Sequence, residues 1–217
     1  MVLLSELSYS TPKIGEGIFL TKDVSEILHL PYSKVRDWMF DFWADHTFGP
    51  KKNRAINFYT LIEFYTFYQL RLQKISSQQI KKAHSHIAND LQTPYPFASA
   101  VIKADGKHVW YEYLEQLIKA DGKQQASIKP FIEPFLKKIE FGDNKIAARF
   151  FPLTNSRNVV VDPKHQFGQP VIAGTNIQTR TIHDLYVAGE TKQNICILYD
   201  VSLKQVNDSI EYYKQAS

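Results

Sequence analysis

The chain reads as a mainly α protein with a minor antiparallel β component (α+β). Apolar residues recur three or four apart in several capped stretches, which is helical spacing. One region instead carries short β-prone runs across an Asp-Gly turn. Hydrophobic residues at 44% and charged residues at 22% are ordinary for packed domains, and 217 residues are enough for two or three cores.

Thr21 is placed to cap a first short helix, with Asp23 in its first turn and Val24, Ile27 and Leu28 on one face. His29-Leu30-Pro31 interrupts it, because Pro31 fixes its own backbone and restricts Leu30. A second helix follows, with Val35, Trp38, Met39 and Phe42 as its apolar stripe. Its opposite face presents Ser33, Lys34 and Arg36 near the helix start, where a recognition helix meets base edges and phosphates. The spacing fits helix-turn-helix geometry, and equally a helical hairpin with a solvated polar face. Gly49-Pro50, then Lys51, Lys52 and Arg54, then alternating Ala55-Ile56-Asn57-Phe58 predict a hairpin with cations near its tip. Helix, turn, helix and basic hairpin in that order resemble the MerR-type winged helix. The resemblance implies DNA contacts from Ser33, Lys34, Arg36, Lys51, Lys52 and Arg54.

Residues 58–72 predict a helix apolar or aromatic almost all round, from Phe58 and Tyr59 to Leu70 and Leu72. Such a helix must be covered on two sides. A second subunit is one way to cover it, which predicts a homodimer; the core of a monomer is the other. Ser76 to Gln79 has a capping-box pattern and starts a helix ending near Leu91. His84 and His86 lie two apart on it and point different ways, so they do not make a metal pair.

Ala98 to Tyr113 predicts a hairpin about Asp105-Gly106, and Lys-Ala-Asp-Gly-Lys occurs at 103–107 and again at 119–123. We read two similar turns in one small sheet. Residues 127–139 predict a helix, late-starting or kinked because of Pro130 and Pro134. Thr154 to Asn158 is the best linker. Beyond it come a short strand at Val159-Val160-Val161 and a Gly/Pro loop. Three helices follow, capped at about Thr179, Thr191 and Ser202, with Leu185, Ile195, Leu198, Val206 and Ile210 packing together. The expected segments are 1–97 (winged helix-turn-helix and following helices), 98–157 (sheet plus helix) and 158–217 (three-helix domain).

Charge and motifs exclude several function classes. The excess of positive charge lies in residues 58–150, with 13 Lys/Arg against nine Asp/Glu, while residues 1–57 have seven of each. DNA binding must therefore come from a focused patch. No apolar run approaches the roughly 18–20 residues that cross a bilayer, and Met-Val-Leu-Leu is no secretory signal. The lone Cys196 supplies neither a disulfide nor a metal framework. A reducing cytoplasm fits these features. No phosphate loop, nucleophile elbow or metal-ligand spacing is present, so we expect no enzyme and no cofactor.

Val160-Val161-Asp162-Pro163, Phe167-Gly168, Pro170-Val171-Ile172, Gly174-Thr175 and Ile177 resemble the family called domain of unknown function 433. Thr179, Ala188-Gly189-Glu190 and the spacing from Tyr199 to Ile210 continue the match over residues 158–213. Asn176 and Asp200 stand where that family often has Arg and Pro. Residues 17–157 are similar to longer members, which carry a MerR-like head. Such proteins are regarded as VapB-type antitoxins, whose genes neighbour PIN-like, acidic-site ribonuclease toxins. The resemblance implies an autorepressor of promoter DNA and a cognate toxin partner. An antitoxin can place Arg or Lys in such a cleft, and the candidates are Lys164, Arg180 and Lys214. The alternative is a stand-alone MerR-like regulator with a C-terminal ligand-sensing or interaction domain.

Overall fold

The computed structural model describes residues 13–99, 101–104, 109–113, 116–119 and 137–214. The fold is mainly α with small antiparallel sheets. Seven α-helices and nine short strands are present among the described residues. They form two compact units. One takes Tyr59–Ala148; the other takes the described residues up to Phe58 together with those from Arg149 onward.

In the second unit, β1 (Phe19–Leu20) runs into α1 (Thr21–Leu28). Thr21 is the first helical residue rather than the cap, because the carboxylate that fixes the entry belongs to Asp23, which accepts from the Leu20 N–H at 2.8 Å. His29 takes a left-handed backbone and ends the helix. The Leu30 N–H returns to the Ser25 carbonyl, while the Ser25 hydroxyl donates to the Leu30 carbonyl. Then α2 (Tyr32–Phe40) buries Val35 and Met39, with Trp38 only half-buried. β2 (Ala55–Ile56) pairs antiparallel with β1.

In the unit built from Tyr59–Ala148, α3 (Phe58–Leu72) carries the predicted aromatic run. From Thr60 to Phe67 every residue is buried within a single chain. The apolar faces that pointed to a second subunit are already covered, so this helix gives a homodimer no support. α4 (Ser77–Leu91) starts on the expected capping box: Ser76 Oγ accepts from the Gln79 N–H, and Gln79 Oε1 accepts from the Ser76 N–H. Its His84 Nε2 lies 2.8 Å from Glu63 Oε2, both side chains buried. Glu63 Oε1 accepts from the N–H groups of Phe97 and Ala98.

β3 (Val101–Ala104), β4 (Val109–Tyr113) and β5 (Gln116–Lys119) form one antiparallel sheet. Tyr111, buried in β4, donates its hydroxyl to Asp90. Burial, reinforced by that carboxylate, holds the phenol above its ordinary pKa. The Asp105-Gly106 turn, most of both Lys-Ala-Asp-Gly-Lys repeats and residues 120–136 lie outside the described residues. Ile139, the last residue of the helix expected over 127–139, instead opens β6 (Ile139–Phe141). β6 pairs with β7 (Ala147–Phe150).

Past β7, Phe150 exchanges both backbone bonds with Val161. β8 (Val159–Val160) pairs with β9 (Val171–Ile172). α5 (Thr179–Val187), α6 (Lys192–Tyr199) and α7 (Leu203–Lys214) then close over a core of Ile172, Ile182, Ile195, Val201, Val206 and Ile210. Leu185 and Cys196 pack against that core. Leu198 does not: it is 66% exposed, because α6 turns its Ile195 face inward. Thr191 caps α6 through the Asn194 N–H, and Ser202 with Gln205 makes the box before α7, both as expected. Thr179 again is the first helical residue rather than a cap.

Candidate functional site

The polar side of α2 faces solvent because Val35 and Met39 take the opposite face inward. Ser33, Lys34 and Arg36 are all exposed. Lys34 Nζ lies 5.7 Å from the Trp38 ring. Arg36 meets the adjacent Asp37 at 3.1 Å, with both side chains more than half exposed. Such a pair is screened and weak, so a phosphate can displace the carboxylate.

The hairpin forms where Phe48 and Ala55 exchange both backbone bonds, at 3.0 and 2.9 Å. Its tip turns through Gly49, in a left-handed backbone, and a single 3-10 turn at Lys51–Asn53 closed by Asn53 N–H to Pro50 O. Lys51 and Lys52 stand exposed at that tip. Arg54 behaves differently. Its Nη1 donates to the Met39 carbonyl at 2.8 Å and to Thr47 Oγ1 at 3.1 Å, and its guanidinium lies 4.1 Å from the Phe40 ring centre. It ties the base of the tip to the last turn of α2. Of the six residues singled out, five project outward and Arg54 holds them in register.

Among the C-terminal candidates, Lys164 and Lys214 are exposed. Arg180 is engaged: its Nη2 donates to Glu26 Oε2 at 2.6 Å, and its guanidinium lies 5.3 Å from the Tyr213 ring centre. This pair joins α5 to α1, so the N-terminal helices and the C-terminal helices belong to one body. Beside it, burial raises the Asp23 carboxyl above its ordinary value; the Leu20 N–H, Gln169 and Arg180 oppose that rise. A second tie lies at the loop before β9. The Ile18 N–H donates to the Phe167 carbonyl, and Gly168 lies so close to the Phe19 ring that a Cβ there would collide with it.

Residues 159–213 match the family described as "Protein of unknown function (DUF433)". The DUF433 segment thus comprises β8, β9 and nearly all of the three closing helices. Over 169 residues the chain is 24% identical to a Mycobacterium tuberculosis protein named "Putative antitoxin VapB45", covering 71% of this chain and 70% of that one. Over 57 residues it is 33% identical to "Uncharacterized protein Rv2308" of the same organism, 26% of this chain and 24% of that one. Among solved structures, the X-ray crystal structure of Rv2018 from Mycobacterium tuberculosis superposes with a TM-score of 0.66 at 19% identity. It covers 88% of this chain and 96% of that one, a likeness of fold. No helix among the described residues is long and apolar enough to cross a membrane.

Two features depend on contacts that no local sequence pattern shows. The structural role of Arg54 depends on a carbonyl fifteen residues away. A cavity beside Asp162 in the DUF433 segment is assembled from residues that no linear pattern groups together.

Proposed function

We propose that the protein is an antitoxin of a toxin–antitoxin system, without enzymatic activity, acting in the cytoplasm. It binds its own promoter through a MerR-like winged head: α2 reads the major groove with Ser33, Lys34 and Arg36, and Lys51 and Lys52 grip the flanking backbone. Its C-terminal segment neutralises a PIN-like ribonuclease. The observation that carries the reading is the outward basic set on α2 and the hairpin tip, in a chain similar over most of its length to the protein named "Putative antitoxin VapB45". A dimer on a two-fold operator belongs to the proposal, because one head spans one half-site. Its functional segments are residues 1–97, 98–157 and 158–217. Lys164 and Lys214 can reach a toxin carboxylate directly, whereas Arg180 must first leave Glu26.

Co-expression of the full chain with the product of the neighbouring gene is the test. The reading expects growth rescue, co-purification, and retardation of a promoter fragment but not of a scrambled duplex. Absence of both rescue and promoter binding would overturn it. Promoter binding without a toxin partner would favour the stand-alone regulator, a reading that the cavity in the DUF433 segment supports.

A further inference from the structure

The loop before β9 holds an aromatic side chain out to solvent on a strained backbone. Residues 164–167 are all exposed, and Phe167 is 73% exposed. Gln166, Phe167 and Gly168 are consecutive left-handed residues, with φ of 48°, 55° and 88°. Two successive turns close over them: the Gly168 N–H donates to the His165 carbonyl at 2.8 Å, and the Gln169 N–H to the Gln166 carbonyl at 3.0 Å. Turns with positive φ at both central positions favour Gly and Asn, because a larger side chain is crowded there. Gly168 meets that need, and the Phe19 ring leaves it no room for a Cβ. Phe167 does not. A bulky residue in this region is an outlier, and a ring so exposed recovers little by burial to offset the cost. The backbone is nevertheless pinned, since the Phe167 carbonyl accepts from the Ile18 N–H at 2.9 Å. Ile18 and Leu20, two apart in extended chain and so on one face, are 43% and 45% exposed, while Phe19 between them is buried.

We propose that Phe167 is the anchor by which this chain docks its toxin: the ring fills an apolar pocket on the toxin, bordered by Ile18 and Leu20. The proposal rests on the antitoxin reading, which supplies the partner. Area decides against a second copy of this chain. Three side chains offer at most a few hundred Å², well short of the about 800 Å² per partner that a stable self-interface needs. A protruding ring fits the other regime, in which one aromatic in a pocket carries most of the binding energy. The pinned backbone holds that ring ready, so ordering it on binding costs little entropy. Lys164 carries the only formal charge in the exposed run 164–167, which complements a partner face with carboxylates beside the pocket. Backbone strain of this kind persists where a site outside the fold's own packing requires it.

The test is calorimetric titration of the full chain with the purified product of the neighbouring gene. Phe167→Asn removes the ring but puts in a residue that tolerates the left-handed backbone, and Phe167→Tyr keeps the ring. Phe167→Asn should weaken binding by about thirtyfold or more, and Phe167→Tyr should stay within about threefold of the parent. The thermal midpoint of the free Phe167→Asn chain should equal or exceed the parent's, because the strain is relieved and little packing is lost. A ring with a structural role would instead lower that midpoint. Light scattering on the free parent and on Phe167→Asn should give the same mass. A parent that binds no neighbouring gene product overturns the antitoxin reading, and this proposal with it. Parent binding that Phe167→Asn leaves intact overturns this proposal alone. So does a lowered midpoint for Phe167→Asn, or a parent dimer that this variant dissociates, which would put a second copy on the ring.

Discussion

Glu63, in the unit of Tyr59–Ala148, has no solvent exposure and divides its oxygens between two backbone N–H groups and His84. Asp162, in the other unit, gives its oxygens to the Lys164 backbone and to a half-exposed Arg149 beside an open cavity. Both carboxylates are buried, but they serve different ends. Glu63 reaches across 34 residues to fix the turn at Pro96–Ala98, and its partners are interior. Asp162 orients a cation that still meets solvent. A closed polar network specifies a fold; one with an accessible member can hold a ligand. The outward cations of α2 and the hairpin tip belong to the same unit as Asp162. On the proposed function, recognition belongs to that unit and scaffolding to the other.

The sharpest way to break this contrast is to remove Glu63. Glu63→Ala removes the acceptor of two buried N–H groups and the carboxylate beside His84, which costs about 3–5 kcal/mol for a broken buried pair. Chemical denaturation should show that loss, and a loss below about 1 kcal/mol, as for an exposed pair, would erase the distinction between the units.

Gly168→Ala comes next. The backbone there is left-handed and the new methyl meets the Phe19 ring. The conformation alone costs about 1–3 kcal/mol. We expect a clear drop in thermal midpoint, with promoter affinity falling too, because β1 leads directly into α1. An unchanged midpoint would mean that this close approach does not hold the N-terminal helices in place.

Asp23→Asn has the smallest effect and the opposite sign. Burial raises the Asp23 carboxyl above 3.8 in the folded protein. The native state then binds more protons than the unfolded state between 3.8 and that raised value, so stability falls as pH rises through this window. Asn keeps an acceptor for the Leu20 N–H without the charge. The variant should therefore be slightly more stable than the parent at neutral pH, with the difference shrinking as pH falls toward 3.8. Thermal melts at several pH values check this; a difference that widens on acidification contradicts it.

What was legible in the sequence was local. The boxes at Ser76/Gln79 and Ser202/Gln205 involve groups three residues apart, and the aromatic helix announces its burial by composition. What was not legible depends on distant partners. Thr21 resembles a cap in isolation, but Asp23 takes that role once β1 pairs with β2. Leu198 carries the right period but faces solvent, since spacing alone does not fix which face turns inward. The outward positions of α2 and the tip could be read because both are defined by short-range pattern. Arg54 could not be separated from Lys51 and Lys52, because only the end of α2 distinguishes them.

Salt-dependent DNA binding tests that separation directly. Affinity for the promoter and for a scrambled duplex should be measured for the parent, for Lys51→Ala/Lys52→Ala and for Arg54→Ala across a range of salt. Each phosphate contact contributes about −0.9 to the slope of log affinity against log salt. The double variant should lose affinity for both duplexes and flatten the slope by about 1.8. Arg54→Ala should lower thermal stability and weaken promoter binding while leaving the slope as in the parent. A double variant that binds like the parent, or an Arg54→Ala slope that flattens by about 0.9, would contradict the assignment of the tip lysines to phosphate and of Arg54 to positioning.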